Sequence, residues 1–179
     1  MVIKGYKAFD NGLINRYGKK FELEKTYTTN GKISFGNNGN GFHFCKNIED
    51  TLRYFDGVDG DIVIAEVTAS GDIAQYEDEY NGYYNMYSAR NIRIDRIVDR
   101  KELVEMFLTE IYSEERIKRF IQLFKLTEEE IKIFKERYKN SIRIINALKY
   151  YQEGKTDVYE KALRHLWNNF CYFIFLLIN

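Results

Sequence analysis

Apolar and polar residues alternate through the first hundred positions with the two-residue period of β-strands. The pattern predicts strands at 2–9, 21–27, 33–35, 42–45, 61–68 and 88–98. Turn-forming sequences such as Asp10-Asn11-Gly12 and Asn30-Gly31 separate several of them, and Ala69-Ser70-Gly71-Asp72 is expected to turn the chain after the segment 61–68. The segment 61–68 is a nearly continuous run of apolar, largely β-branched residues, which is typical of a strand buried on both faces. We therefore expect a small sheet domain with this segment at its centre.

A glycine-rich turn, a short strand and a capped helix follow one another between residues 39 and 55. Phe42 and Phe44 share one face of the strand, and His43 and Cys45 share the other. Asn47 is placed to cap the helix that follows. This arrangement is typical of one wall of a pocket, and it is equally typical of a core.

From residue 100 onward, apolar residues recur every three or four positions, as in amphipathic helices. Helix starts are predicted at Ser113, at the capping box Thr127 to Glu130 and at Thr156, and Gly154 is a natural stop. The predicted fold class is α+β: a small, split, mostly antiparallel sheet domain over 1–100, followed by a C-terminal helical bundle over 101–179.

The last turns of the chain, residues 170–178, are apolar on every side. Nine residues are too few to span a bilayer, so this segment is expected to pack against protein. Two alternatives stay open: it packs against the sheet of the first domain, or it forms the interface of a homodimer. His165 in the preceding helix has no second ligand at metal spacing, and no metal site is predicted.

Composition narrows the classes of partner and the compartment. The chain holds 27 basic and 27 acidic residues, so no global field attracts nucleic acid or an anionic membrane. The predicted helices on either side of 125–127 have the spacing of a helix-turn-helix, but the glutamates at 128–130 would face phosphates, which disfavours DNA binding. Cys45 and Cys171 are expected to be reduced, and no signal peptide or membrane span is recognised. These features predict a protein of the bacterial cytoplasm.

A tyrosine-rich acidic segment follows the central strand. Two interpretations are open: a solvated acidic loop whose tyrosines cover the core, or a surface that binds a partner protein through large aromatic contacts. The candidate partner-binding residues are Tyr76, Glu77, Asp78, Glu79, Tyr80, Tyr83, Tyr84 and Tyr87.

Three sequence blocks carry a resemblance to known families: strand 1 with Gly5, then Gly-Phe-His-Phe-Cys-Lys-Asn leading into a helix, then the central strand with Tyr-Ser-Ala-Arg-Asn-Ile-Arg-Ile after it. Residues 1 to about 100 resemble a domain of uncharacterised function carried by phage and prophage proteins. More remotely they resemble the compact ADP-ribosyltransferases, which bind NAD in a cleft between two small sheets. The absence of proline and the abundance of Lys, Ile, Asn and Tyr are typical of an AT-rich bacterial or phage genome.

The second resemblance implies an ADP-ribosyltransferase-like fold and a set of candidate catalytic residues. Lys4 stands where the family has a ribose-holding histidine, and His43 or Phe44 stands where it has a nicotinamide-stacking tyrosine. Asp72, Glu77 or Asp78 would supply the carboxylate.

Two functions are therefore weighed. The first is a phage accessory protein that binds and inhibits a host protein, for instance as an anti-CRISPR inhibitor of a CRISPR nuclease. The second is an NAD-dependent ADP-ribosyltransferase that modifies a host protein. Lys4 and His43 depart from the enzyme pattern, which favours the first function, with no cofactor.

Overall fold

A computed structural model describes residues 1–36, 39–54, 62–78 and 82–154, and it describes the side chains of all of these except 54, 78 and 82–84. The chain divides into two compact units, 1–125 and 126–179. The first unit holds the sheet and two α-helices, and the described part of the second holds two more. The division at residue 100 that the sequence suggests stays a prediction.

The described elements occur in this chain order: β1 Val2–Phe9, β2 Thr26–Thr28, β3 Phe42–Cys45, a 3-10 helix Ile48–Tyr54, β4 Val63–Asp78, β5 Gly82–Ile97, α1 Arg100–Thr109, α2 Glu114–Leu123, α3 Glu128–Arg137 and α4 Ile142–Gln152. An antiparallel sheet of five strands followed by helices confirms the predicted α+β class. The ADP-ribosyltransferase-like shape stays a prediction.

The sheet is organised as a ring of pairings. β1 pairs with β4, β4 with β5, β5 with β3, and β3 with β1, all antiparallel. β2 adds a short strand to β5 at residues 91–93. The ring has an inner face, which carries the apolar core, and an outer face.

Close approach of β1 and β3 completes the ring at Gly5. A Cβ atom at this position would overlap the carbonyl oxygen of Cys45 and contact the ring of Phe44. Only glycine leaves room for the two backbones, which explains why this strand carries a glycine in its interior.

β4 and β5 form a long hairpin of 16 residues on each side. The sequence analysis placed a turn at 69–72, and that prediction is wrong, because β4 continues through these positions. The register shifts between Ser70 and Ile73, where Gly71 has φ +83°, so a β-bulge absorbs the turn-forming residues without ending the strand. Most of the tyrosine-rich acidic segment, for which a solvated loop was one of two interpretations, is therefore strand.

The core of the sheet unit is aromatic and aliphatic. Phe21 lies at its centre, 2% exposed, with its ring 5.3 Å from that of Phe9 and 4.7 Å from that of Tyr27. The predicted strand 21–27 is reduced to β2, since Glu24 has a positive φ of 58° that breaks the extended chain. Residues 33–35, also predicted as strand, are irregular.

The helices of the first unit pack through stacked rings. The Phe107 and Phe120 rings are 4.2 Å apart, and those of Phe120 and Phe124 are 4.6 Å apart. Arg116 of α2 donates to Asp50 at 3.1 Å and so ties α2 to the 3-10 helix. The helix predicted after Asn47 exists, in the tighter 3-10 form.

The described part of the second unit is a helical hairpin. The capping box of Thr127 and Glu130 is confirmed at the start of α3. The single helix predicted from 128 to Gly154 is two helices, because α3 ends at Arg137 and Ser141 caps α4. Gly154 ends α4 with φ +65°, as predicted. The helix expected after Thr156 and the apolar tail lie outside the described residues.

Within the described ranges, no helix combines the length and the apolar character that crossing a membrane requires. Cys45 is buried as a free thiol, which agrees with the prediction for that residue.

We expect Gly5→Ala to lower the free energy of unfolding by about 3 kcal/mol, because the new methyl group has to displace β3 from β1. Gly18→Ala is the control, since Gly18 has open space around it and its φ of +78° alone costs about 1 kcal/mol. Urea unfolding of both variants measures the difference. Equal losses would contradict the role assigned to Gly5.

Candidate functional site

Lys7 projects into the interior of the sheet ring. In the pairing of β1 with β4, Lys7 lies opposite Ala65. The pairs on either side of it on the same face are Gly5 with Val67 and Phe9 with Val63. Ala65 and Val67 are fully buried, and they belong to the core cluster. A lysine therefore stands on the apolar face of β1.

The ammonium of Lys7 has one hydrogen bond among the described residues. Nζ donates to the backbone oxygen of His43 at 2.7 Å, and it lies 5.6 Å from the centre of the Phe9 ring. No described carboxylate forms an ion pair with it. Burial without a counter-charge disfavours the protonated form and lowers the pKa of Lys7 to about 8.

His43 provides an unmatched polar atom on the face of β3 opposite to Phe42 and Phe44. The imidazole Nε2 is buried and has no hydrogen-bond partner among the described residues. Burial, with smaller contributions from the charges of Lys7 and Arg16, lowers the pKa of His43 to about 4. The imidazole is therefore neutral at physiological pH.

The ring of Phe35 covers the His43 imidazole. Phe35 stacks on the imidazole with 4.5 Å between ring centres. The ring of Tyr76 packs in turn against Phe35, with 4.9 Å between the centres of these two rings. The histidine is thereby fixed in orientation, with its Nε2 atom removed from water.

Side chains hold the connection between β2 and β3 in place. The amide of Asn40 donates to the carbonyl oxygens of Asn30 and Lys32, and Ser88 donates to the Asn40 carbonyl at 3.1 Å. The Arg90 guanidinium donates to the carbonyl oxygens of Thr29 and Gly31. These bonds anchor the segment that carries Phe35.

Cys45 follows two residues after His43 on β3. Burial raises the pKa of its thiol to about 12, so it stays protonated and is a poor nucleophile. We assign it to packing.

The predicted catalytic residues are distributed over separate parts of the sheet. Lys4 is exposed and lies opposite Thr68, on the face of β1 that Lys7 does not share. Asp72 forms an ion pair of 2.6 Å with Arg90, and Glu77 is exposed near the end of the hairpin. No hydrogen bond or ion pair among the described residues joins any two of Lys4, His43, Asp72 and Glu77.

Six of the eight predicted partner-binding residues lie in the outer half of the β4–β5 hairpin. Tyr76 is half-buried against Phe35, and Tyr87 is half-buried with its ring 5.4 Å from that of Phe44. Glu77 lies opposite Tyr83, and Asp78 lies opposite Gly82. Tyr84 belongs to β5, and Glu79 and Tyr80 lie outside the described residues.

Metal chemistry has no visible basis in the described part of the chain. No group of three or more His, Cys, Asp or Glu side chains there is arranged to hold an ion.

The chain is matched over residues 3–106, more than half of its length, by the model of a family described as Domain of unknown function (DUF7666). The protein belongs to this family. The matched region covers the described sheet except Val2, together with the 3-10 helix, and ends within α1. No curated protein and no solved structure matches the chain.

Sequence reasoning selected His43 and missed Lys7. The information was present in the alternation of β1, because Lys7 has the same parity as Ile3 and Phe9, both of which belong to or pack against the core. A lysine on the apolar face of a strand is a rare position that requires a reason.

We expect Lys7→Met to raise the free energy of unfolding at pH 7 by about 2 kcal/mol, because it removes an uncompensated buried charge at the cost of one hydrogen bond. The folded pKa of Lys7 lies below its unfolded value of 10.5. The gain is therefore fully present below about pH 8 and disappears as the pH rises to 10.5. Urea unfolding between pH 7 and 10.5 measures it.

The matched control is Lys46→Met, at an exposed lysine directly after β3, which should leave stability unchanged at every pH. A Lys7→Met protein that is less stable than the parent at pH 7, with a difference independent of pH, would contradict the account.

Proposed function

We propose that this protein is a phage or prophage accessory protein that binds a host protein and inhibits it, with the outer β4–β5 hairpin as the contact surface. The proposed class of partner is a component of a host defence system such as a CRISPR nuclease. Support for the phage origin comes from the resemblance of residues 1 to about 100 to a phage and prophage domain and from the proline-free, Lys- and Asn-rich composition.

The observation that carries the proposal is the isolation of the outermost pairs of the hairpin. β1 pairs with β4 at residues 63–70, and β3 pairs with β5 at 86–89. At the pairs Glu77 with Tyr83 and Asp78 with Gly82, no third strand joins among the described residues. A two-stranded ribbon offers its faces and edges to another molecule.

The sequence at the end of the hairpin is acidic. Glu77 is exposed and has no described ion-pair partner, and the sequence continues with Asp78 and Glu79. Three consecutive carboxylates repel one another unless water or a basic surface faces them. A basic surface on the partner would be complementary, and nucleic acid would be repelled.

Tyr76 and Tyr87 are better suited to support the hairpin than to contact a partner. Their rings pack on Phe35 and Phe44, so replacing either one would test stability together with binding. Tyr83 and Tyr84, further out on β5, are the aromatic residues that we assign to the contact.

The alternative proposal is an NAD-dependent ADP-ribosyltransferase that modifies a host protein. It rests on the remote resemblance and on His43 as a candidate nicotinamide contact. The separation of Lys4, Asp72 and Glu77 from one another favours the binding protein over the enzyme.

We expect Tyr83→Ala with Tyr84→Ala to weaken binding to the captured host protein by about 2 kcal/mol or more, mainly through faster dissociation, because aromatic anchors dominate interface energies. Glu77→Lys with Asp78→Lys should mainly slow association, most strongly at low salt. The measurement is affinity capture from host lysate by the full-length protein, followed by binding kinetics of the captured protein at two salt concentrations.

Matched controls are Tyr112→Ala and Glu105→Lys, which change an exposed tyrosine and an exposed acid elsewhere in the first unit. Parent-like affinity of both hairpin variants, at an unchanged thermal midpoint, would place the interface elsewhere. Transfer of label from NAD to a lysate protein, abolished by Asp72→Ala or Glu77→Ala, would favour the enzyme.

A further inference from the structure

Three aromatic rings surround the ammonium of Lys19. Its Nζ atom is 5.3 Å from the centre of the Phe21 ring, 5.1 Å from that of Tyr27 and 5.2 Å from that of Phe42. The Phe21 ring is inclined by 58° to the Tyr27 ring and by 84° to the Phe42 ring, so the three rings face the ammonium from different directions. Proteins bind organic cations in aromatic cages of this kind.

The fold holds this cage of Phe21, Tyr27 and Phe42 in place. Tyr27 lies on β2 and Phe42 on β3, and both strands pair with β5. The Tyr27 hydroxyl accepts a hydrogen bond from the backbone N–H of Glu22 at 2.9 Å, next to Phe21 in the chain. Phe21 is buried in the core, whereas Tyr27 and Phe42 are only partly buried and Lys19 is exposed. The cage is therefore preformed and is reached from the surface.

Lys19 is held in the cage by the rings alone. Its ammonium has no hydrogen bond and no ion pair among the described residues. Its backbone N–H donates to the Asn15 side chain and its carbonyl accepts from the Asn15 N–H, so the turn keeps its shape when the side chain moves. A primary ammonium is strongly hydrated, and its contact with aromatic rings at an exposed site is weak. The side chain can therefore leave the cage at little cost.

The dimensions of the cage fit a larger cation. The distances of 5.1 to 5.3 Å from Nζ to the ring centres exceed the contact distance of about 3.5 to 4.0 Å. A methyl group on the nitrogen extends about 1.5 Å from it and would lie about 3.7 Å from a ring centre. Because one cation takes the place of another, the cage gains no additional charge.

We propose that the cage of Phe21, Tyr27 and Phe42 binds a small molecule through a trimethylammonium group, and that Lys19 occupies the cage until this cation displaces it. A quaternary ammonium is poorly hydrated and places a methyl group against each ring, which favours it over the lysine. This site is separate from the β4–β5 hairpin and from the proposed host partner.

The test is NMR of the isotope-labelled full-length protein, observed at the Tyr27 and Phe42 rings and at the Cε group of Lys19. Choline is titrated at constant ionic strength, and so is dimethylbutanol, the neutral analogue in which a carbon atom replaces the nitrogen. With choline, we expect saturable shifts of both rings and a movement of the Lys19 signal to the position of an exposed lysine, as it leaves the rings. The alcohol has the same shape without the charge and should give no saturable shift.

Lys19→Ala should tighten choline binding about threefold, because it removes the internal competitor. Lys20→Ala, at the neighbouring exposed lysine, should bind like the parent. Tyr27→Leu should weaken binding about threefold or more, because one of the three rings is lost.

No saturable shift with choline, equal shifts with the alcohol, or parent-like binding by a folded Tyr27→Leu protein would each overturn the proposal. Lys19→Ala binding no tighter than Lys20→Ala would overturn the competition by Lys19. If Tyr27→Leu fails to fold, the comparison of choline with the alcohol in the parent protein still decides the proposal.

Discussion

The contact between β1 and β3 at Gly5 is the constraint on which the rest of the sheet unit depends. β1 also pairs with β4, β4 pairs with β5, and β5 pairs with β3. The contact between β1 and β3 therefore closes the sheet into a ring with an interior. Once the ring is complete, odd-numbered residues of β1 face inward, and Lys7 is enclosed with Ala65 and Phe9. The cost of burying an unpaired ammonium is a direct consequence of this topology.

The ring of strand pairings also explains why the two ends of the β4–β5 hairpin differ in composition. Close to the rest of the sheet, β4 and β5 are flanked by β1 and β3, and their inward-facing residues belong to the core. Further out the two strands pair with each other alone, among the residues described, and the sequence becomes acidic and rich in tyrosine. Because of the bulge at Gly71, β4 runs as one continuous strand from the core to the outer end of the hairpin.

Features that depend on local sequence patterns were predicted correctly. The α+β order, the capping box at Thr127 and the stop at Gly154 follow from periodicity and from backbone preferences, and they were confirmed. The turn expected at 69–72 was wrong, because pairing with β5 overrides the turn propensity of Ser70 and Gly71. His43 was selected for its chemistry, whereas its burial beneath Phe35 depends on a distant segment that no local pattern indicates. Lys7 was missed, although the alternation of β1 places it on the same face as Ile3 and Phe9.

The central claim is that Lys7 is a partly buried cation on the inner face of the ring, with no ion-pair partner among the described residues. The most direct test is a pH titration of the Lys7 Cε and Nζ chemical shifts in isotope-labelled full-length protein without added ligand. The account predicts a midpoint near pH 8, well below the ordinary lysine value. A midpoint at the ordinary lysine value of 10.5 would show that water or a carboxylate reaches the ammonium, and it would contradict the account.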